Sequence, residues 1–275
     1  MTQTVPSARD VLRQRYRDPA IGEPDQWNPV LHLLHSHHSV RQYLDEPVSD
    51  ATLRLLVSAA QSAPTSSNLQ VWSVIAVRDP QRRARLAELA GGQAHIAQAP
   101  VLLVWTADFG RLRQLADARG VPLEGADYLE SSYVGFVDAA LAAQNAVVAA
   151  ESLGLGTVFV GALRNRPEEV AALLHLPQQV FAVFGLVVGH PDPAEGAGVK
   201  PRLPQRAVLH HETYDAAPQL DAITDYEPRL AEYYADQRQQ HSWTARVLAR
   251  LASGASLSGR HRLREALGER GFRLH

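Results

Sequence analysis

The first clear helical stripe along the chain is Leu53, Leu56, Val57 and Ala60, apolar at i, i+3, i+4 and i+7 behind Pro47 and Ser49. That spacing predicts an amphipathic helix, capped by Ser49 and ending near Pro64. Ahead of it, Val30, Leu31, Leu33 and Leu34 predict a shorter helix from Pro29 to His37, which delivers the chain to the polar run His37-His38-Ser39-Val40-Arg41. β-prone runs predict strands at 73–77, 101–108, 157–163 and 180–189, the last apolar enough to be buried on both faces. A charged helix is expected near 80–90. Another is expected behind Pro167, with Asn165 or Arg166 in the capping position. From about 134 to 153 the apolar positions (Val137, Ala140, Leu141, Ala143, Val147, Val148, Ala150) run round most of a helix that stops at Gly154. Such a helix belongs in the centre of a core or in a subunit interface. Residues 109–132 hold Gly110, Gly120, Pro122 and Gly125 without a clear period, and read as an excursion with a short helix. Helices and strands alternate, so the class is mixed α/β or α+β.

The two ends differ from this middle. Residues 1–30 carry Pro6, Pro19, Pro24 and Pro29 among many charges and read as a loosely docked extension. After the fourth strand a Gly- and Pro-rich loop leads to an extended piece at 207–214. From Arg238 onward eight arginines face Glu265 and Glu269, in amphipathic helices around Trp243, Val247, Leu248, Leu251, Leu263 and Leu267.

Composition narrows the chemistry. The 275 residues are 45% hydrophobic and 20% charged, with a formal charge of -2, so no overall field favours nucleic acid or anionic lipid, and small molecules or protein partners are expected. Cysteine is absent, which removes disulfides, thiolate nucleophiles and thiolate metal sites; redox chemistry would have to be borrowed from a cofactor. The polar, Arg-rich start has no apolar leader and no later run reaches 18 apolar residues, so a cytoplasmic setting is expected, with no membrane partner. All but one of the 27 basic residues are arginine. The single lysine, Lys200, is either a chance survivor on a loop or a compact cation kept where a broad guanidinium would not fit.

Several motifs fail on inspection. No GxSxG elbow or P-loop is present, and Gly154-Leu155-Gly156 lies after a helix and before a strand, the reverse of a dinucleotide fingerprint. His32, His35, His37 and His38 have helical spacing but no accompanying carboxylate, and Arg41 stands beside them, so no metal is expected. Three polar clusters remain: His37 to Arg41, the run Pro64-Thr65-Ser66-Ser67-Asn68-Leu69-Gln70, and Lys200-Pro201-Arg202-Leu203-Pro204. Each could be cap, turn or solvated-loop chemistry by itself; each also offers the donors and cations a phosphate-bearing aromatic cofactor needs.

Together and in this order, with HHSVRQYLDEPVS, GGQAHIAQAP, DAALAAQNAVVAAESLGLG, FVGALRN, VKPRLP and LAEYY, they resemble the FMN-dependent nitroreductases, in particular the oxygen-insensitive, NADPH-preferring type A branch that includes flavin reductases. The resemblance runs from about His32 to the C-terminus. It implies an α+β fold, a three-layer α/β/α sandwich with a central mixed sheet, in an intertwined homodimer with FMN lined by both chains. The implied segments are an extension at 1–31, an FMN-binding core at 32–215 and a helical excursion at 216–275. The implied activity is ping-pong hydride transfer from NADPH through FMN to nitroaromatic, quinone or flavin acceptors, with no obligatory catalytic side chain. A main activity as an NADPH-flavin reductase, or a non-catalytic flavin-binding protein, are the alternatives.

Residue by residue, the resemblance assigns His37, His38 and Ser39 to the phosphate neighbourhood, with His38 where the branch usually has arginine, and Arg41 to the flavin pyrimidine edge. Thr65, Ser66, Ser67, Asn68 and Gln70 match the loop that reaches the flavin from the partner subunit, and Gln93 matches a ring-edge hydrogen bonder. Val160, Gly161, Ala162 and Leu163 match the segment whose backbone faces the flavin N5, where the family commonly has glycine in place of Ala162. Lys200 and Arg202 match the basic pair at the phosphate. Arg164, Arg238 and Arg260 are assigned to the substrate and NADPH pocket.

Overall fold

The computed structural model describes residues 6–275, and residues 1–5 of the expected extension lie outside it. The elements in chain order are α1 (Ala8–Tyr16), α2 (Pro29–Ser36), α3 (Asp50–Gln61), β1 (Trp72–Val77), α4 (Pro80–Leu89), α5 (Ala94–Gln98), β2 (Val101–Asp108), α6 (Gly110–Arg119) and α7 (Leu129–Ser152). There follow β3 (Gly156–Val160), α8 (Pro167–Leu173), β4 (Val180–Gly189), α9 (Gln219–Asp236), α10 (Trp243–Leu251) and α11 (Leu263–Glu269). The chain divides into two compact units. One takes the residues up to His38 together with Ala197–Ser256; the other takes Ser39–Gly196 with Leu257–His275. This differs from the segments 1–31, 32–215 and 216–275 drawn from the sequence.

The larger unit is built on a sheet of order β1-β2-β4-β3 in which every pairing of named strands is antiparallel. The expected mixed character survives in one place: Ser39 bridges Thr157 of β3 in parallel. Alternation along the strands sorts the side chains into two layers. Leu102 and Val104 of β2 and Val187 of β4 pack with Leu86, Leu89, Ile96, Leu163 and Val170 from the side of α4, α5 and α8. Val101, Leu103 and Trp105 of β2 and Leu186 and Val188 of β4 pack with Leu53, Leu56, Ala142, Ala143 and Ala146 from α3 and α7. The result is the expected helix–sheet–helix sandwich. Full burial of side chains of this size contributes about 1.5–3 kcal/mol each, which makes the centre of this sheet the best-anchored part of the unit.

Local chemistry sets the helix starts. Ser49 accepts a hydrogen bond from Thr52 N at 3.0 Å, as its position predicts, and Asn28 and Asp79 cap α2 and α4, each followed by proline. α7 is the core helix expected, and it also keeps one side open. Ala139, Ala142, Ala143 and Ala146 are buried against the sheet, whereas Tyr133, Val137 and Leu141 on the other side stay exposed in a single chain.

Three expectations change. Residues 157–163 are not one strand: β3 ends at Val160 and a 3-10 turn spans Gly161–Asn165, because Leu163 turns inward to full burial. Residues 207–214 contain no strand; the chain makes a 3-10 turn at Gln205–Ala207, held by Pro204 O accepting from Ala207 N. The loosely docked reading of residues 1–31 also gives way over the described part, since α1 is a helix capped by Ser7 with Val11 and Arg15 buried. Its few apolar positions are hidden among charges in the sequence.

The smaller unit holds α1, α2, α9 and α10. Tyr226, Leu230 and Tyr233 of α9 form its core, with Leu203, Tyr234 and Trp243 packed on them. Arg17 and Asp18, just past α1, pair with Glu232, Asp236 and Arg229 of α9. Trp27 packs on His35 and His32, with ring centroids 5.2 and 6.4 Å apart, so those imidazoles serve packing.

Candidate functional site

In the smaller unit, two candidate segments converge on one buried side chain. Arg15 is 6% exposed, and its guanidinium donates to His35 O at 2.8 Å, His37 O at 2.5 Å and Lys200 O at 2.8 Å. Its own carbonyl accepts from Arg202 N at 3.1 Å. A rigid fork spreads five N–H donors over three nitrogens and so spans three carbonyls in fixed geometry, whereas an ammonium offers its donors from one point. The tyrosines of α9 fix the same loop, Tyr226 Oη donating to Pro201 O and Tyr233 Oη to Gly198 O, both at 3.1 Å.

Lys200 Nζ lies 5.2 Å from the Tyr234 ring and 6.0 Å from the Tyr233 ring. Lys200 and Arg202 line a cavity of about 560 Å³ together with Tyr16, Tyr234, His241 and Trp243. His241 stacks on Tyr234 with centroids 3.9 Å apart, and its imidazole is held below the usual histidine range by burial and then by the charges of Arg246 and Lys200. The cavity is thus aromatic-walled and cationic, which suits an anionic ligand with a flat ring. His38 Nδ1 pairs with Ser36 O at 3.1 Å. Arg238 is exposed just beyond α9, sharing this unit with Lys200 and Arg202 rather than with Arg164 and Arg260.

In the larger unit, Ser39 and Val40 are tied to β3, with Val40 N donating to Thr157 O at 2.9 Å. Gly156 makes this approach possible, since a Cβ there would stand 2.8 Å from the Val40 side chain. The next residue is fixed by an acid: Glu195 accepts from Arg41 N at 2.9 and 3.0 Å and from Gln42 N at 3.1 Å. The Arg41 side chain is exposed, and its charge reaches His95, whose pKa is lowered by burial first and by Arg41 second. His95 Nε2 is buried without a hydrogen-bond partner. Two residues earlier, Gln93 caps the start of α5 and donates through Nε2 to Ala90 O at 3.2 Å.

The 65–70 loop has its side chains out and its backbone pinned. Ser66, Ser67, Asn68 and Gln70 are exposed, and Ser67, Asn68 and Gln70 hold left-handed φ angles of 48°, 56° and 52°. Such angles cost energy outside glycine and persist only where the surroundings impose them. Asp138 of α7, 2% exposed, pins both ends of the loop: its carboxylate accepts from the Thr65 hydroxyl, from Ser66 N at 3.1 Å and from Val71 N at 3.4 Å. Thr65 Oγ1 in turn accepts from Gln70 N at 2.9 Å.

The turn after β3 carries the remaining group. Arg164 folds back over Gly161, where a Cβ would stand 3.2 Å from Nη2, and donates to Val183 O. Its pKa is lowered by burial and by the like charge of Arg260. Arg260 is delivered there by Gly259, whose φ of 90° and close seat on Asn165 O, 2.5 Å from where a Cβ would stand, exclude a side chain. The tight backbone turn at Gly161 is thus covered by Arg164, with Arg260 near enough for its charge to be felt there.

Sequence reasoning did not reach Arg15, Asp138, Glu195 or His95. Asp138 leaves a trace, being the one acid between Val134 and Ala150 in an alanine-rich helix. Arg15 leaves none, as one of four arginines within ten residues.

Residues 34–190 match the Nitroreductase family, and residues 200–275 match the Nitroreductase family, C-terminal domain. The chain is 43% identical over 252 residues to the FMN reductase [NAD(P)H] of Bacillus subtilis, covering 90% of this chain and 99% of that protein. It is 42% identical over 207 residues to the oxygen-insensitive NADPH nitroreductase of Salmonella typhimurium, covering 75% and 83%. The solved structure of Bacillus megaterium NfrA2 superposes with a TM-score of 0.85 at 41% identity, over 90% of this chain and 100% of that one. With the helix–sheet–helix sandwich and the matched motifs, these likenesses establish that the chain belongs to the nitroreductase family.

Proposed function

We propose that this chain is an FMN-dependent NADPH oxidoreductase, acting as a homodimer on nitroaromatic, quinone or flavin acceptors. The observation that carries the reading is the match of residues 34–190 and 200–275 to the two nitroreductase family regions, and the turn at Gly161, covered by Arg164 within reach of the charge of Arg260, agrees with it. The relatives' names, FMN reductase and NADPH nitroreductase, support it.

The residues present suit FMN. His95 Nε2, two residues after Gln93, and Asn165 Oδ1, next to Arg164, are buried polar atoms without hydrogen-bond partners. His37, Lys200 and Arg202 supply donors and charge for the phosphate, with His38 and Ser39 beside them, while Arg41 and Gln93 serve the pyrimidine edge. When bound, FMN would supply an N5 that takes hydride from NADPH and gives it to an acceptor in a ping-pong exchange. By the family resemblance, the backbone at Val160, Gly161, Ala162 and Leu163 would serve that atom, and the small residues Gly161 and Ala162 suit a close approach. Arg164 and Arg260 would draw in the anionic nucleotide, and Arg238, in the smaller unit, is a separate candidate for the same task. No side chain needs to act as acid or base.

The outward face of α7 supports the dimer: Tyr133, Val137 and Leu141 are exposed, apolar and in line. The pinned loop Thr65 to Gln70 then reaches the partner's flavin with side chains already turned outward. A cytoplasmic setting goes with this reading. Flavin reduction as the main activity is the second reading, favoured by the name of the Bacillus subtilis relative. The test is the visible spectrum of the purified protein before and after anaerobic NADPH. A yellow dimer that NADPH bleaches rapidly is expected; a flavin that stays oxidised would make the chain a carrier, and steady-state rates with a nitroaromatic, a quinone and free FMN rank the acceptors.

A further inference from the structure

We propose that Arg15 is a positioning residue for the flavin phosphate, setting the spacing of the three groups that hold it. The proposal rests on the reading in which His37, Lys200 and Arg202 grip that phosphate. Arg15 lies ahead of residue 34, where the family match begins, in a chain that needs only 90% of its length to span 99% of the Bacillus subtilis relative. The segment that carries it lies outside the residues that match the family, and the structure gives it a task.

The geometry is specific. One buried guanidinium accounts for the carbonyls of His37 and Lys200, at 2.5 and 2.8 Å, and the Arg15 carbonyl takes Arg202 N at 3.1 Å. His37 and Lys200 are far apart in sequence, and a single planar group fixes the distance between their backbones. A phosphate dianion is sensitive to that distance, because charge-assisted hydrogen bonds weaken steeply when donors are misplaced. Arg17 docks α1 on α9 through Glu232 and Asp236 and lies over the Tyr233 ring, so its ion-pair partners are carboxylates and not the backbone groups that Arg15 holds. The ion pairs that dock α1 and the hydrogen bonds that hold the carbonyls are thus carried by different side chains.

The test measures dissociation constants of FMN and of riboflavin, which lacks the phosphate, by flavin exchange and ultrafiltration of the purified holoprotein. Arg15→Met should weaken FMN about tenfold and leave riboflavin within about twofold, a loss the size of one hydrogen-bonded charge. Lys200→Ala should show the same phosphate-selective loss, and Glu232→Gln, which removes one docking ion pair of Arg17, should leave both constants within about twofold. If Lys200→Ala loses FMN selectively while Arg15→Met does not, the positioning role is wrong and the phosphate reading stands. If neither variant loses FMN, the phosphate reading itself falls. An equal loss of FMN and riboflavin in Arg15→Met assigns the residue to general stability and overturns the proposal. Should Arg15→Met fail to fold, Arg15→Lys decides: it keeps the charge but bridges fewer carbonyls, so a smaller phosphate-selective loss is expected, and none overturns the idea.

Discussion

The loop at 65–71 and the loop at 198–202 are held by the same device with opposite sign. In the first, a buried carboxylate, Asp138, collects a hydroxyl and two backbone N–H groups. In the second, a buried guanidinium, Arg15, collects carbonyls from His35, His37 and Lys200. The difference lies in what is left behind if the anchor goes. A buried N–H without an acceptor is rarely tolerated, whereas a carbonyl with an open lone pair is tolerated more often. Asp138 is therefore expected to matter most to the fold, and Arg15 most to what the fold binds.

Asp138→Ala should break the comparison most visibly, costing about 3 kcal/mol in urea unfolding because several donors lose a charged acceptor at once. A loss below that of the Arg15 variant would remove the asymmetry. Gly156→Ala touches neither anchor but drives a methyl group into Val40, and should cost about 2 kcal/mol through overpacking. Arg15→Met should come lower, about 1 kcal/mol in the same assay, with its main effect on flavin retention. The smallest effect is one of pH. The pKa of His95 in the folded chain is depressed below the ordinary 6.5, by burial first and then by Arg41, so on acidification the unfolded chain takes up a proton before the folded one. Stability should be complete above about 6.5 and fall as pH drops below it, and His95→Gln should flatten that part of the profile. A profile unchanged by His95→Gln would move the titration elsewhere.

The contrast also explains what the sequence could tell. The stripe at Leu53, Leu56 and Ala60, the cap at Ser49 and the four strand positions follow from short-range periodicity, and the structure keeps them apart from the shortened β3. α6 was half hidden, because it buries only Gly110 and Ala116 and so has no apolar stripe to read. The candidate residues were found as motifs, yet the groups that fix them were not. Asp138 meets Thr65 across 73 positions, and Arg15 meets Lys200 across 185. Contacts so distant leave no local pattern, and a lone arginine among arginines gives no sign that it is buried. The left-handed angles at Ser67, Asn68 and Gln70 were equally invisible, since none of these is a glycine.

Lys200 has a practical consequence of its own. It carries the only side-chain amine in the chain and sits against the Tyr234 ring at the edge of the cavity it lines. An amine-directed reagent therefore has one internal target, and intact-protein mass spectrometry would count its adducts directly. Protection of that target by an added nucleotide would report occupancy in the unaltered protein, without a chromophore and without turnover.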